Sequence, residues 1–529
     1  MVWNINGKQG NESAKIRWEL VPYTRGKGLD VGCGPYKAFD HFIGLDNGHH
    51  QVFGHSIKPD IQIETAEKLE FFASNSLDFV YSSHLLEHIP PGAPCVKTLK
   101  EWWRVLKTGG YLCLYVPDED EYPKVGEKGA NPDHKWNINY DGVLNLMEQV
   151  GTWDMVEFQK RNQDDEYSLF FVFKKVGKGL HFSWRNEKPK KSAAIVRYGA
   201  YGDLLQASSV FAGLKAQGYH VTLYTSPPGQ DVITHDPNID QIILQDKDQV
   251  PNHELTGFWA AIAKKYDKFI NLSESVEGSL LAMPGRTLHA WPPAVRARFM
   301  DFNYLEIQHG LAGVPHKPKV RFYATSEEKD WAQKERRKMG VGPVVVWSLA
   351  GSSVHKTWPY LDAVVARIMI DFPTAHVVFV GGPEAKILEA GWEKEDRVHE
   401  RCGEWKIRET MAFLDQADLV IGPETGVLNA VACMDVPKVC FLSHSSVTNL
   451  TRDWVNCTSL FSQKTTCPGR GTNEATACHQ LHYGWTHCKR GDKTSVAQCQ
   501  EDITADEAYK PIKAALAHPL RSIEKVSAA

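Results

Sequence analysis

A glycine-rich turn flanked by acidic residues could hold a small charged ligand. The segment Leu29–Pro35 follows an apolar run typical of a strand, and Gly32 and Gly34 in it let the backbone approach a ligand closely. A dinucleotide fingerprint would need a third glycine at the position of Lys37. Asp30 would repel a pyrophosphate but would attract ammonium and sulfonium groups. The spacing therefore argues against a nicotinamide dinucleotide and favours a cationic ligand.

Asp46 supplies a second acidic position twelve residues after Gly34, at the end of the apolar run Phe42–Asp46. A carboxylate at the end of the second strand of such a unit commonly binds ribose hydroxyls. A single GxG turn also occurs as nothing more than a tight turn, and Glu87-His88 further along also fits the end of a surface helix.

A third acidic candidate is Asp203, which ends the segment Arg197–Asp203 between a predicted strand and a predicted helix. It is expected to be the N-cap of that helix. A carboxylate at the same place could also accept a proton from an attacking hydroxyl. The two roles are compatible.

Cationic and hydroxyl groups gather in the last third of the chain. In the segment Ser348–Pro359, Lys356 could neutralise a diphosphate, unless the segment is a surface loop pinned by Trp358. Glu384 ends another strand and could bind a ribose.

Thr425 follows a further predicted strand in the segment Ala417–Gly426. Its hydroxyl and the N–H groups of the next helix suit a phosphate. The same threonine would also serve as an ordinary helix cap.

Strands that alternate with helices must position these residues, which predicts an α/β protein with mostly parallel sheets. Polar, glycine- and proline-containing sequence near residues 177–191 marks a boundary. The expected layout is a first domain at 1–178, a linker at 179–191, an α/β half at 192–340, and a second half at 341–529 that ends in a Cys/His-containing extension. The two halves would bind ligands in the cleft between them.

The individual elements follow from periodicity and turn residues. A helix around Val96–Leu106 is expected to end at Thr108-Gly109-Gly110, and another helix is expected at Asp203–Gln217. The expected strands are Gly28–Val31, Phe42–Asp46, Leu77–Ser82, Tyr111–Val116, Tyr167–Phe173, Ala193–Arg197, His220–Tyr224, Pro343–Ser348, His376–Val380, Leu419–Ile421 and Lys438–Leu442.

The composition excludes several classes of protein. The net charge of −4 gives no global basic field for nucleic acid. No apolar stretch is long enough for a transmembrane helix, and the first residues lack the apolar core of a secretory signal. We expect a cytoplasmic protein, with peripheral association with a membrane left open.

Cysteines recur about every ten residues at Cys467, Cys478, Cys488 and Cys499, with histidines between them. No CxxC pair is present, so ordinary thiols are favoured over a zinc site in this extension. We expect no metal in either active site.

Four motifs in order resemble class I S-adenosylmethionine-dependent methyltransferases, especially those acting on small molecules. They are Leu29–Gly34, Ile43–Asp46, Ser76–His88 and Trp103–Gly110. The resemblance implies cofactor binding by Asp30, Gly32, Gly34 and Asp46, with Ala66 and Glu67 near the adenine and Ser83 and His84 near the methyl-transfer cleft. Asn131–Lys135 resembles the acceptor-side loop of the family, and Thr65 replaces a usual aspartate.

The motifs from Ala193 onward resemble glycosyltransferase family 9, the heptosyltransferases of lipopolysaccharide biosynthesis. The resemblance implies a GT-B fold and metal-independent, inverting transfer from an ADP-sugar. It makes Asp203 the catalytic base. Its implied donor contacts are Ser352, Lys356, Glu384, Glu424, Thr425 and Gly426. In the family, an aspartate usually stands at the position of Glu424 and a histidine at that of Asn429.

Together these patterns predict a bifunctional enzyme that transfers a sugar from a nucleotide donor to a glycan, free or lipid-linked, and also transfers a methyl group. Two alternatives stay open. One is an adaptor of a glycan-assembly complex with one or both sites vestigial, and the other is the same enzyme with a UDP-sugar donor.

Overall fold

The computed structural model describes residues 4–5, 8–9, 11–48, 51–52, 55–162, 165–177, 191–274, 291–351, 353, 356–464, 474–478 and 488–517. Its contacts form two compact units. The first comprises Met1–Lys188 with Gln245–Glu254, and the second comprises Pro189–Leu244 with Leu255–Ala529. Most of the linker expected at 179–191 lies outside the described residues.

The first unit is built on a seven-stranded sheet covered by helices. Its strands among the described residues are β1 (Asn4–Ile5), β2 (Lys8–Gln9), β3 (Gly28–Val31), β4 (Ile43–Asp46), β5 (Gln51–Val52), β6 (His55–Ser56), β7 (Ile61–Gln62), β8 (Leu77–Ser83), β9 (Leu106–Pro117), β10 (Trp153–Arg161) and β11 (Ser168–Lys175). Its helices are α1 (Glu12–Leu20), α2 (Ala93–Val105) and α3 (Tyr140–Met147), with 3₁₀ turns at Val21–Tyr23 and Leu86–His88.

The strand order of the large sheet is β10-β11-β9-β8-β3-β4-β7. The five strands from β9 to β7 pair in parallel, and β11 is antiparallel to both of its neighbours. The chain runs outward from β3 through β4 to β7 and then returns to β8 on the other side of β3. Ligands bind at such a reversal, outside the carboxyl ends of the strands. The mostly parallel sheet predicted from the sequence is confirmed.

One local prediction is wrong. Helix α2 ends at Val105, and the residues Thr108-Gly109-Gly110 lie inside β9 rather than in a turn that precedes it. Gly109 has φ +90°, a conformation that most residues with side chains disfavour. Glycine therefore allows the irregular backbone at the start of the strand. The sequence pattern also missed β10, because a register shift between Met155 and Glu157 interrupts the apolar/polar alternation that marks a strand.

The second unit contains two separate parallel sheets, one in each half. Their orders are β14-β13-β12-β15 and β18-β17-β16-β19-β20-β21. The first is formed by β12 (Ser192–Val196), β13 (His220–Thr225), β14 (Gln241–Leu244) and β15 (Lys268–Asn271). The second is formed by β16 (Val344–Ser348), β17 (His376–Val380), β18 (Val398–Glu400), β19 (Leu419–Pro423), β20 (Lys438–Phe441) and β21 (Cys457–Leu460).

Helices pack on both sheets of the second unit. Those described are α4 (Tyr201–Ala216), α5 (Pro227–Ile233), α6 (Leu255–Ala263), α7 (Pro293–Met300), α8 (Tyr304–Ala312), α9 (Ser326–Lys338), α10 (Leu361–Asp371), α11 (Ile407–Phe413), α12 (Gly426–Ala430), α13 (Gln498–Glu501) and α14 (Ala505–Ala517). Shorter turns lie at Leu272–Glu274, Pro383–Leu388, Leu414–Gln416 and Val447–Thr451.

The central strands of both halves are fully buried, apolar runs, as parallel strands covered on both faces require. One apolar core continues from Ile195 and Leu205 in the first half to Val346 and Leu428 in the second. The α/β architecture with two Rossmann-like halves is therefore as predicted. In the described part of the chain, no helix is both long and apolar enough to cross a membrane.

Candidate functional site

The turn after β3 has the geometry that its glycines predict. Gly32 and Gly34 have φ angles of +74° and +58°, in the left-handed region that L side chains rarely adopt. A Cβ on Gly34 would meet no atom within 4 Å, so the backbone is open to a ligand at that residue.

Asp46, at the carboxyl end of β4, links this turn to the next loop. Its Oδ2 accepts from the N–H of Gly34 at 3.1 Å, and its Oδ1 accepts from the N–H of Gly48 at 3.1 Å. The carboxylate therefore fixes both loops at the same edge of the sheet.

Asp30 lies in β3 beside this turn and is fully buried. Its Oδ2 accepts from the N–H of Ala38 at 2.9 Å, whereas its Oδ1 is buried with no hydrogen-bond donor among the described residues. Burial raises the pKa of Asp30 to about 7. A cationic ligand near Oδ1 would favour the ionised form.

Ala66 and Glu67 are held by contacts within the first unit. The carbonyl of Ala66 accepts from Trp102 Nε1 at 2.8 Å, and Glu67 pairs with Lys97 at 3.2 Å. Ser83 is buried at the carboxyl end of β8, next to β3 in the sheet.

His84 follows Ser83 with φ +47°, an unusual backbone conformation for a residue with a side chain. Its Nε2 lies 3.0 Å from Ser168 Oγ, and its Nδ1 lies 3.5 Å from Glu87 Oε1. Burial lowers the pKa of His84 to about 3, so the imidazole is neutral at pH 7.

Glu87 is not the exposed end of a surface helix. Its side chain is fully buried in the turn Leu86–His88, and burial raises the pKa of Glu87 to about 8. His134, from the loop predicted to lie on the acceptor side, places Nε2 3.8 Å from Glu87 Oε1. No sequence pattern groups Glu87 with His134, because they lie 47 positions apart in the chain.

In the second unit, the loop after β12 presents Asp203 with an arginine partner. The guanidinium of Arg197 is fully buried and lies 2.9 Å from Asp203 Oδ1, while about a third of the Asp203 side chain is exposed. Arg197 is a functional residue that was not predicted, although its place directly after a buried strand was a signal.

Asp203 is not the N-cap of helix α4, contrary to the sequence prediction. The helix begins at Tyr201, and Ala200 is the capping residue with an extended backbone. Asp203 is the third helical residue, and its Oδ2 accepts from the N–H of Ala200 at 2.7 Å. The carboxylate therefore satisfies the start of the helix from inside its first turn, as in a capping box.

The second half brings Lys356 to the carboxyl end of β19. Lys356 is buried, and its Nζ donates to the carbonyl of Glu424 at 2.9 Å. Ser348 Oγ and Thr425 Oγ1 lie 3.3 Å apart, and Thr425 caps helix α12 by accepting from the N–H of Leu428.

The Glu424 carboxylate is directed into the loop after β20. It accepts from the N–H and hydroxyl groups of Ser443 and Ser445, and His444 Nδ1 lies 2.6 Å from its Oε2. Burial opposes ionisation, but His444, Lys356 and these donors hold the pKa of Glu424 well below its usual range.

The remaining two predicted donor contacts are less defined. Glu384 lies exposed in the turn that follows β17, the strand next to β16. Ser352 lies outside the described residues.

The starts of α4 and α12, which belong to different halves of the second unit, meet directly. A Cβ on Gly426 would lie 2.7 Å from Tyr201 Cβ, and one on Gly202 would lie 2.9 Å from Asn429 Nδ2. Asn429 accepts from Gln206 Nε2 at 3.1 Å and donates to the carbonyl of Thr425 at 2.9 Å. The loops that carry Asp203 and Thr425 are thus neighbours.

Two family descriptions match the chain. A methyltransferase domain matches residues 29–114, and glycosyltransferase family 9 (heptosyltransferase) matches residues 258–476. The chain joins a methyltransferase domain to a family 9 glycosyltransferase domain. Asp203 precedes the second matched region and His134 follows the first.

Solved structures with similarity to each part are known. Heptosyltransferase II of Escherichia coli is 13% identical, with a TM-score of 0.45, over 62% of this chain and 98% of that one. A family 9 glycosyltransferase from Veillonella parvula is 18% identical, with a TM-score of 0.41, over 51% and 86%. An S-adenosylmethionine-dependent methyltransferase from Archaeoglobus fulgidus is 18% identical, with a TM-score of 0.26, over 32% and 96%. No curated protein matches the chain.

Proposed function

We propose that this protein is a bifunctional glycan-modifying enzyme. Its glycosyltransferase domain transfers a sugar from an ADP-heptose-like donor to a glycan acceptor, and its methyltransferase domain methylates a sugar or a related group with S-adenosylmethionine. The observation that carries the first activity is the Arg197–Asp203 ion pair beside the Thr425 loop.

Sugar transfer needs a base for the acceptor hydroxyl. Asp203 is partly exposed, and its Oδ1 and Oδ2 are held by Arg197 and by the N–H of Ala200. It would take the hydroxyl proton while the oxygen attacks the anomeric carbon and the bond to the diphosphate breaks. The fixed carboxylate would not need to reorganise during the reaction.

The departing diphosphate needs positive charge and N–H donors. Among the described residues, Lys356 donates one of its three ammonium hydrogens, to the carbonyl of Glu424, and the others would bind phosphate oxygens. Thr425 and Gly426 would add a hydroxyl and a backbone N–H. Ser352, a donor contact that the family resemblance implies, lies outside the described residues. Glu384, after the neighbouring strand, would bind the ribose.

In the methyltransferase domain, bound S-adenosylmethionine would supply an electrophilic methyl group. Asp30, Gly32, Gly34 and Asp46 would hold the cofactor at the carboxyl ends of β3 and β4. Ala66 and Glu67 would lie near its adenine, and Ser83 and His84 near the acceptor. The unpaired Oδ1 of Asp30 supports a cationic ligand at this place.

The base is tested by Asp203→Asn, which keeps the shape of the side chain but cannot take the proton. We expect kcat for sugar transfer to fall by about 10²–10⁴ while ADP affinity stays nearly constant. Transfer is measured by mass spectrometry of the acceptor, and affinity by calorimetry.

Glu328→Gln is a matched control for this test. Glu328 also accepts from a capping N–H, that of Thr325, and pairs with an arginine, Arg408. Equal losses of rate in the two variants would make Asp203 a structural residue only.

The donor site is tested by Lys356→Ala and Lys356→Arg. We expect Lys356→Ala to weaken ADP binding and lower kcat, and Lys356→Arg to recover more of the binding than of the rate, because charge returns without the geometry. Lys438→Ala is the control, since Lys438 is also a buried lysine that donates to main-chain carbonyls. Unchanged affinity and rate in Lys356→Ala would place the donor phosphates elsewhere.

The same assays separate the alternatives. A UDP-sugar enzyme would hydrolyse and transfer from a UDP-sugar in preference to an ADP-sugar. An adaptor with both sites vestigial would bind neither ADP nor S-adenosylhomocysteine, so neither ligand would raise its melting temperature, and an adaptor with one vestigial site would not respond to the ligand of that site.

A further inference from the structure

Three potential metal ligands lie together at the carboxyl ends of β8 and β9. One ligand atom from each of Glu87, His88 and His134 lies within 4.8 Å of the other two. Glu87 and His134 are buried, whereas His88 is half-buried. This group, the Glu87 cluster, belongs to the methyltransferase domain and was not expected from the sequence.

Main-chain and side-chain bonds fix the two segments that form the Glu87 cluster. The N–H of Lys135 donates to the carbonyl of Glu87 at 2.8 Å, and Trp136 Nε1 donates to the carbonyl of Leu86 at 3.1 Å. The His134 N–H closes its own turn onto Asn131 at 3.1 Å. The ligand atoms are therefore brought together by folding alone.

The carboxylate at the centre of the cluster is short of donors. Both oxygens of Glu87 are fully buried, and in the described part of the chain neither accepts a hydrogen bond. A buried carboxylate without donors is costly to keep ionised. A cation bound to it would supply the missing charge and make the ionised form favourable.

We propose that Glu87, His88 and His134 bind one divalent transition-metal ion, for which zinc has the matching ligand chemistry. Two imidazoles and one carboxylate form a donor set that zinc accepts, with the fourth tetrahedral position left to water. Bonds of about 2.0–2.2 Å place tetrahedral ligands roughly 3.3–3.6 Å apart. The 3.8 Å between Glu87 Oε1 and His134 Nε2 is close to this range, and the three ligand atoms, which lie within 4.8 Å of one another, would contract by up to about 1.5 Å around an ion.

His84 would position the carboxylate rather than bind the metal. Its Nδ1 is 3.5 Å from Glu87 Oε1, and its other nitrogen contacts Ser168 Oγ at 3.0 Å. Ligands of bound metals are commonly oriented by such partners. The metal site does not rest on the proposed methyl transfer, because binding can be measured without turnover.

The test is a metal titration of the full-length protein after treatment with a chelator and its removal. Zinc binding is followed by calorimetry, and cobalt(II) binding by visible absorption, which reports tetrahedral nitrogen and oxygen ligands. We expect one site of this kind in wild type, and a loss of affinity of more than about 100-fold in Glu87→Gln and His134→Gln.

Two controls keep the result specific. His399→Gln alters a histidine pair with His376, 3.0 Å apart, and should leave the affinity unchanged. Metal bound by the cysteines after Cys467 would show thiolate charge-transfer bands in the near ultraviolet, which the Glu87 cluster cannot produce. His88→Gln changes only a half-buried side chain, so it tests the site even if Glu87→Gln fails to fold.

Absence of zinc or cobalt binding in wild type would overturn the proposal and leave a metal-free cluster of glutamate and histidine. Binding with thiolate bands alone would also overturn it. Unchanged affinity in folded Glu87→Gln or His88→Gln would have the same consequence.

Discussion

Buried carboxylates are treated in opposite ways by the two domains. In the methyltransferase domain, Asp30 and Glu87 have oxygens that meet no donor among the described residues, and burial raises their pKa values to about 7 and about 8. In the glycosyltransferase domain, the equally buried Glu424 is met by serines and a histidine, and its pKa is well below the usual range.

The difference teaches that burial alone does not set the charge of a carboxyl group. The donors directed at it decide whether the ionised form is stable. A carboxylate saturated by its own chain acts as an internal clamp, as Glu424 does between two loops. A carboxylate left short of donors marks a place where a cationic ligand is expected, which is how Asp30 and Glu87 enter our proposals.

The sharpest test of the comparison is Glu424→Ala. We expect a loss of about 3–5 kcal/mol in the free energy of unfolding of the glycosyltransferase domain, because His444 and the serine donors lose their buried partner. Denaturant-dependent alkylation of Cys440, buried in β20, measures it. Glu384→Ala, at an exposed carboxylate, is the control, and a similar loss there would mean that Glu424 is not a special clamp.

Asp30→Asn tests the opposite case through pH. The folded protein retains the Asp30 proton up to a pKa of about 7, and the unfolded chain releases it near 3.8. The folded state therefore binds more protons between these values, so wild-type stability falls as pH rises through this window. We expect the free energy of unfolding of Asp30→Asn, relative to that of wild type, to increase by about 2–4 kcal/mol from pH 4 to pH 8.

Reaction of the buried Cys113 in β9 with 4,4′-dithiodipyridine, which reacts with thiols also in acid, reports unfolding of this domain at each pH. The contributions of other titrating groups to the free energy of unfolding are the same in both proteins, so they cancel in the difference between variant and wild type. A difference that does not change with pH would contradict the raised pKa of Asp30.

Asp46→Ala has the smallest expected effect, because Asp46 already accepts two N–H bonds from its own chain. We expect the affinity for S-adenosylhomocysteine to fall by about 1–3 kcal/mol, measured by calorimetry. Asp60→Ala is a matched control, since Asp60 accepts from the N–H of Gly44 at 2.7 Å on the same strand. Equal losses in both variants would show a general loosening of β4 rather than a ligand contact.

Sequence patterns were sufficient to predict elements whose formation depends on neighbouring residues along the chain. The strands at Gly28–Val31 and His376–Val380 were predicted with their observed bounds, because short, mostly apolar segments next to glycine turns are local signals. The bounds of β10 and the start of α4 were not predicted. A register shift breaks the alternation in β10, and the side chain of Asp203 caps α4 from inside its first turn, so Ala200 is the capping residue.

The sequence by itself determined the order of α/β units and the glycine turn near Asp30. Backbone freedom and strand periodicity depend only on residues that are adjacent in the chain. Only the tertiary structure decided the charge environments. Glu424 turns to Ser445, and Glu87 meets His134, because parallel strands bring distant loops to one edge of a sheet. Arg197 meets Asp203 because the loop after β12 leads directly into the first turn of α4. Coulomb and desolvation energies depend on those distances through space, which no spacing along the chain specifies.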